Sequence, residues 1–128
     1  MNRVQLDRCT GEIVDSAVMV HIALGPGVLE SAYQACLDYE LRSRGLHVVS
    51  QLAMPLRYRG VRLDLGYKLD FVVENAVVVE VKAVSKVLPV HEAQLLSYLR
   101  LSKHRVGLLI NFHSPRLRDG IRRMVNNL

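Results

Sequence analysis

Two apolar runs, 69–73 and 76–79, flank Glu74-Asn75, and both carry acids that a buried strand does not ordinarily hold. Asp70 lies inside the first, and Glu80-Val81-Lys82 closes the second. The β-branched content and length of the runs predict strands, and Glu74-Asn75 has the chemistry of a hairpin turn. A turn centred on Asn75 sets Asp70 directly across from Glu80. A two-residue loop at Glu74-Asn75 sets Asp70 opposite Val79 instead, diagonal to Glu80, and both registers are open at this level. Side chains alternate along a strand, so Lys82 shares a face with Glu80, and facing residues of an antiparallel pair lie roughly 5 Å apart at Cβ. Two carboxylates held that close repel, and burial raises the cost unless a cation sits between them. The pattern predicts a divalent metal site. Its structural alternative is an ion-pair cluster in which Lys82 neutralises Glu80 or Asp70 where a strand emerges into solvent.

The 128 residues predict a single domain, 1–128, large enough to bury about two-thirds of the surface of its unfolded form without a structural metal or disulfide. Half the residues are hydrophobic and 23% are charged, which excludes a disordered chain. The apolar stretches, such as Ala17 to Leu24 with His21 inside it, fall short of the roughly 20 residues of a membrane span. Met1 to Arg8 lacks the apolar centre of a signal peptide, so a cytoplasmic location and no membrane partner are expected. Cys9 and Cys36 have no partner spacing and read as packed thiols.

Seventeen Lys and Arg against twelve Asp and Glu give a net charge of +5, which favours an anionic partner such as nucleic acid. Arginine dominates and clusters at Arg57, Arg59 and Arg62, at Arg100, Lys103, His104 and Arg105, and at Arg116, Arg118, Arg122 and Arg123. Planar guanidinium forks suit phosphate oxygens. The same clusters also read as solvated faces.

Apolar spacing predicts a helix from Thr10, as its cap, to Leu24, ended by Gly25-Pro26-Gly27, and a second from about Val28 to Arg44. Strands follow at 46–54, 56–58 and 61–67, then the two charged ones. A third helix is expected over 90–102, a central strand over 106–112, and a short element over 117–125. This order predicts an α/β sandwich with a central mixed sheet flanked by helices, the third helix packing near the charged patch. His91, Gln94 and Tyr98 share one stripe of that helix, either a functional face or a half-exposed boundary.

Asp70, the Glu80-x-Lys82 triplet and a following helix with Gln94 resemble the PD-(D/E)xK nuclease superfamily. Gly27-x-x-Glu30-x-x-Tyr33, Gln51, Gln94-Leu95-Leu96-Ser97-Tyr98-Leu99 and Gly107-Leu108-Leu109-Ile110-Asn111-Phe112 extend this to the small bacterial and archaeal GxxExxY proteins, from Gly11 to Arg123. The resemblance implies a restriction-endonuclease-like fold and metal-dependent phosphodiester hydrolysis. It implies Asp70, Glu80, the Val81 carbonyl and Glu30 as ligands of Mg2+ or Mn2+, and Lys82 as the residue that aligns the attacking water or offsets phosphate charge. It makes Gln94 and Tyr98 supporting residues, and His91 on the same stripe is taken with them. Leu69 stands where the superfamily has its nominal proline, which is not a ligand.

The expected activity is a Mg2+- or Mn2+-dependent deoxyribonuclease, with Arg57, Arg59, Arg62, Arg100 and Arg105 as a basic rim for DNA and a homodimer as one source of specificity. The alternatives are a nucleic-acid-binding or regulatory protein without turnover on the same fold, and an oligomeric interaction subunit whose charges form a salt-bridge network.

Overall fold

A computed structural model of the chain describes residues 1–128. Two helices, α1 (Arg3–Leu24) and α2 (Glu30–Ser43), precede strand β1 (Val48–Ala53). A short hairpin follows, β2 (Leu56–Tyr58) and β3 (Val61–Leu63), and then β4 (Lys68–Val73) and β5 (Val77–Lys82). Helix α3 (Pro89–Ser102), β6 (Val106–Asn111), a 3-10 turn (Leu117–Gly120) and β7 (Ile121–Val125) complete the chain.

β1, β4, β5, β6 and β7 form one sheet in that order, parallel only between β5 and β6, while β2 and β3 pair with each other. The mixed sheet with helices on both faces is a restriction-endonuclease-like α/β fold. Strand alternation sends Phe71, Val73, Val77, Val79, Val81, Leu108 and Ile110 into a core with α1 and α2, and Val72, Val78 and Leu109 into a second core with Leu95 and Leu99 of α3. β5 is covered on both faces, which explains its unbroken Val77-Val78-Val79. Gly107 is where α3 approaches most closely: a Cβ there would stand 3.0 Å from Leu95 Cδ1.

Helix α1 begins seven residues before the expected Thr10. Asn2 caps it, accepting from the Gln5 amide while the Gln5 side chain accepts from the Asn2 amide, both at 2.9 Å. Thr10 lies inside the helix, donating to the Asp7 carbonyl at 3.0 Å. The early turns escape a periodicity reading because their buried contribution is small, with Leu6 and Cys9 facing the core amid charged neighbours. The expected 61–67 strand stops at Leu63, and the terminal element is a 3-10 turn followed by an edge strand.

The β4–β5 register decides between the two hairpin readings. Val73 faces Val77 and Phe71 faces Val79, so the loop is the three residues Glu74-Asn75-Ala76 and the turn is centred on Asn75. Glu74 and Asn75 adopt the left-handed φ values of 53° and 52° that this reversal needs.

Candidate functional site

In this register Asp70 and Glu80 oppose each other just past the last regular pair of the ladder. Their side chains replace the missing backbone bonds: Asp70 N–H donates to Glu80 Oε1 at 3.2 Å, and Val81 N–H donates to Asp70 Oδ2 at 2.8 Å. The opposite side of β4 is irregular as well. Ser50 pairs with Phe71 and Leu52 with Leu69, but the intervening Gln51 has φ 53°, a left-handed conformation unusual for glutamine in a strand. Gln51 lies beside Asp70, whose carboxyl it helps to hold down, and donates to Gln34 of α2 at 3.4 Å. The sheet therefore opens on both flanks of Asp70.

Glu80 is 7% exposed. Burial, and then the neighbouring Asp70 charge, push its carboxyl from 4.5 up to about 8. Burial also raises Asp70, but the Val81 N–H, Glu80, Lys82 and Gln51 pull it back. At neutral pH the pair therefore shares a proton. Burial and the Glu80 charge raise the Tyr98 phenol too, which puts α3 beside the acids.

Lys82 is half-buried at the end of β5, in register with Asn111 of β6. None of the seven ion pairs includes it, so it is not the direct salt-bridge partner that the structural alternative required. Its charge still lowers both carboxyls at longer range. Asn111 is buried and clamps the loop after β5: its Oδ1 accepts from Val84 N–H at 3.0 Å and its Nδ2 donates to the Val84 carbonyl at 2.9 Å. Neither Gln51 nor Asn111 was assigned a role from sequence. The signal for Asn111 was a polar residue closing an apolar strand.

Strand directions put the ends of β1, β5 and β6 at the same end of the sheet as Asp70, and α2, running antiparallel to β1, starts there too. Glu30 opens α2, exposed, at this end, but no third Asp, Glu, His or Cys joins Asp70 and Glu80 in a cluster that could hold a metal. The flanking motif residues have packing roles. Tyr33 donates to the Gly25 carbonyl at 2.5 Å, accepts from Val28 N–H and stacks on Phe112 at 4.6 Å, while Gly27 takes φ 100°. On α3, the His91 Nδ1 accepts from Leu88 N–H at 2.9 Å and so caps its own helix. Gln94 is exposed, and Tyr98 lies 6.3 Å from Tyr67.

The basic residues divide between the two ends. Arg57, Arg59 and Arg62 sit on the β2–β3 hairpin, which leaves the sheet beside Lys68 and therefore at the end of the acids. Arg100 and Arg105 lie with Lys103, Asn126 and Asn127 at the other end, where Val106 pairs with Val77 and Val125. The six residues of β6 separate the groups by roughly 20 Å, so one continuous rim through all five arginines is not formed.

Two facing carboxylates with hard oxygen donors, one of them retaining a proton for want of positive charge, suit a divalent cation of the Mg2+ type. A buried Glu80, a half-buried Asp70 facing it on the central strands and a lysine two residues on form the candidate centre. Residues 7–124 match the family model described as the PD-(D/E)XK nuclease superfamily. The chain belongs to that superfamily, whose members are generally hydrolytic nucleases that use divalent metals. The match stands at superfamily level and does not single out the GxxExxY group. No curated protein and no solved structure matches the chain.

Proposed function

We propose that the protein is a Mg2+- or Mn2+-dependent deoxyribonuclease that hydrolyses phosphodiester bonds at the Asp70–Glu80–Lys82 end of the sheet. The observation that carries this reading is the opposed pair of acids where the β4–β5 ladder ends, with Lys82 beside them and free of any ion pair. Asp70, Glu80 and the Val81 carbonyl would hold the cation, and Glu30 would join them after a shift of the α2 N-terminus. When bound, the cation supplies Lewis-acid polarisation of the scissile phosphate and favours ionisation of the attacking water.

The chain's own residues perform the remaining work. Val81 N–H orients Asp70 and, with Gln51, offsets part of the rise that burial imposes on its carboxyl. Lys82 aligns the water or offsets the charge that develops on the phosphate oxygens, where an oriented ammonium is worth most at the transition state. Tyr98 and Tyr67 wall the α3 side of the site, and Gln94 and His91 lie on the same helix towards its open end.

The test is cleavage of supercoiled plasmid and of single-stranded DNA with Mg2+ and with Mn2+. Wild-type protein should cleave at least one of them, chelation should stop cleavage, and Asp70→Asn should abolish it. Cleavage that persists in Asp70→Asn at the wild-type rate would overturn the assignment.

A further inference from the structure

The β2–β3 hairpin is amphipathic in an unusual sense. Leu56 faces Leu63 and Tyr58 faces Val61, while Arg57 faces Arg62. Facing residues share a side of a ribbon, so one side carries four apolar residues and the other two arginines. Arg59 and Gly60 form the tip with φ 51° and 77°, the paired left-handed residues of a tight two-residue turn. The root is pinned: Met54 N–H donates to the Tyr67 carbonyl at 2.9 Å, and Tyr67 meets Tyr98 of α3. The arm is thus a defined projection from the acid end of the sheet.

Like charges directly opposed on a ribbon destabilise it. Asp64 answers Arg62 at 3.1 Å through an exposed pair, and no carboxylate answers Arg57. Such a face is complementary to a polyanion with charges on both flanks. The major groove of B-form DNA, about 12 Å wide, admits a two-stranded ribbon, and side chains diverging from Cβ atoms about 5 Å apart can reach both of its rims. Single-strand binding uses aromatic stacking platforms set among the cations. Tyr58, the arm's one aromatic ring, lies on the opposite face, beneath Arg59 at 5.5 Å.

We infer that the β2–β3 arm lies in the major groove of duplex DNA next to the acid end of the sheet, with Arg57 and Arg62 gripping phosphates on opposite rims. The nuclease reading contributes only the expectation of a nucleic acid; the duplex preference follows from the arm. From Gln51, opposite Asp70, to Arg57 is six residues, roughly 20 Å of chain, or about six base-pair steps.

The experiment is anisotropy of a fluorescein-labelled DNA duplex of about 20 base pairs, its separated strand and the matching RNA duplex, in chelator and across about 50 to 200 mM salt. Because no cleavage occurs there, inactive enzyme and failed arm give separate results. Wild type should bind the DNA duplex most tightly, the deep narrow major groove of RNA excluding the ribbon. Arg57→Gln/Arg62→Gln should lower the slope of log affinity against log salt by about two units. Arg57→Lys/Arg62→Lys should keep the slope, and Arg100→Gln/Arg105→Gln, at the far end, should leave it unchanged. Preference for the single strand or RNA duplex, no DNA binding by wild type, or an unaltered slope in the first double variant would overturn the inference. If that variant were misfolded, loss of the slope in the lysine pair would do so.

Discussion

Glu80→Gln isolates the electrostatic cost of the acid pair. The substitution keeps the shape and leaves an oxygen to accept from Asp70 N–H, while its amide can donate to the Asp70 carboxylate. In the wild type the carboxyl of residue 80 is raised from 4.5 to about 8, so the folded state holds this proton more tightly than the unfolded chain. The associated stability is fully present below pH 4.5 and is lost as pH rises through about 8. At about 1.4 kcal/mol per unit the interval bounds the loss near 5 kcal/mol. Water reaching the open sheet end and adjustment of Asp70 reduce the expected loss to about 2–3 kcal/mol, a shift of roughly 10 °C in Tm for a chain of this size. Thermal unfolding from pH 5 to 9 without divalent cations should show the wild type falling steadily. Glu80→Gln should match it at pH 5 and exceed it at pH 8.5. Adding about 10 mM Mg2+ at pH 8.5 should recover about 1–2 kcal/mol for the wild type through linkage, and nothing for the variant. Parallel profiles across the whole range, or a variant less stable than wild type at pH 8.5, would refute the reasoning.

Lys82→Ala should lower single-turnover cleavage by about 10²- to 10³-fold while changing stability in urea by less than about 1 kcal/mol, because no ion pair is broken; a destabilised variant with the wild-type rate would sink its catalytic assignment. Asn111→Leu leaves the Val84 amide and carbonyl without their partner, and chemical denaturation should register a loss of about 2–4 kcal/mol. Tyr33→Phe preserves the stack on Phe112 but removes the hydroxyl that joins Gly25 to Val28, at a cost of about 1–3 kcal/mol in the same measurement.

Much of the fold was written locally. The valine-rich runs around Glu74-Asn75, the Gly25-Pro26-Gly27 break and the apolar run 106–112 each encode an element through neighbours a few residues apart. The placement of Asp70, Glu80 and Lys82 on the central strands followed from those patterns, since strand alternation and turn position are short-range properties. The choice between the two registers did not: it depends on left-handed conformations at Glu74 and Asn75 that the packing of Val73 against Val77 holds in place. The left-handed kink at Gln51 is likewise invisible along the chain, because its cause is the opened ladder around an acid nineteen residues away. Arg57 and Arg105 are equally plausible as basic-rim residues in the sequence. Only the directions of β5 and β6 put one at the end of the acids and the other at the opposite end, because strand order and direction are fixed by contacts between segments that local composition does not specify.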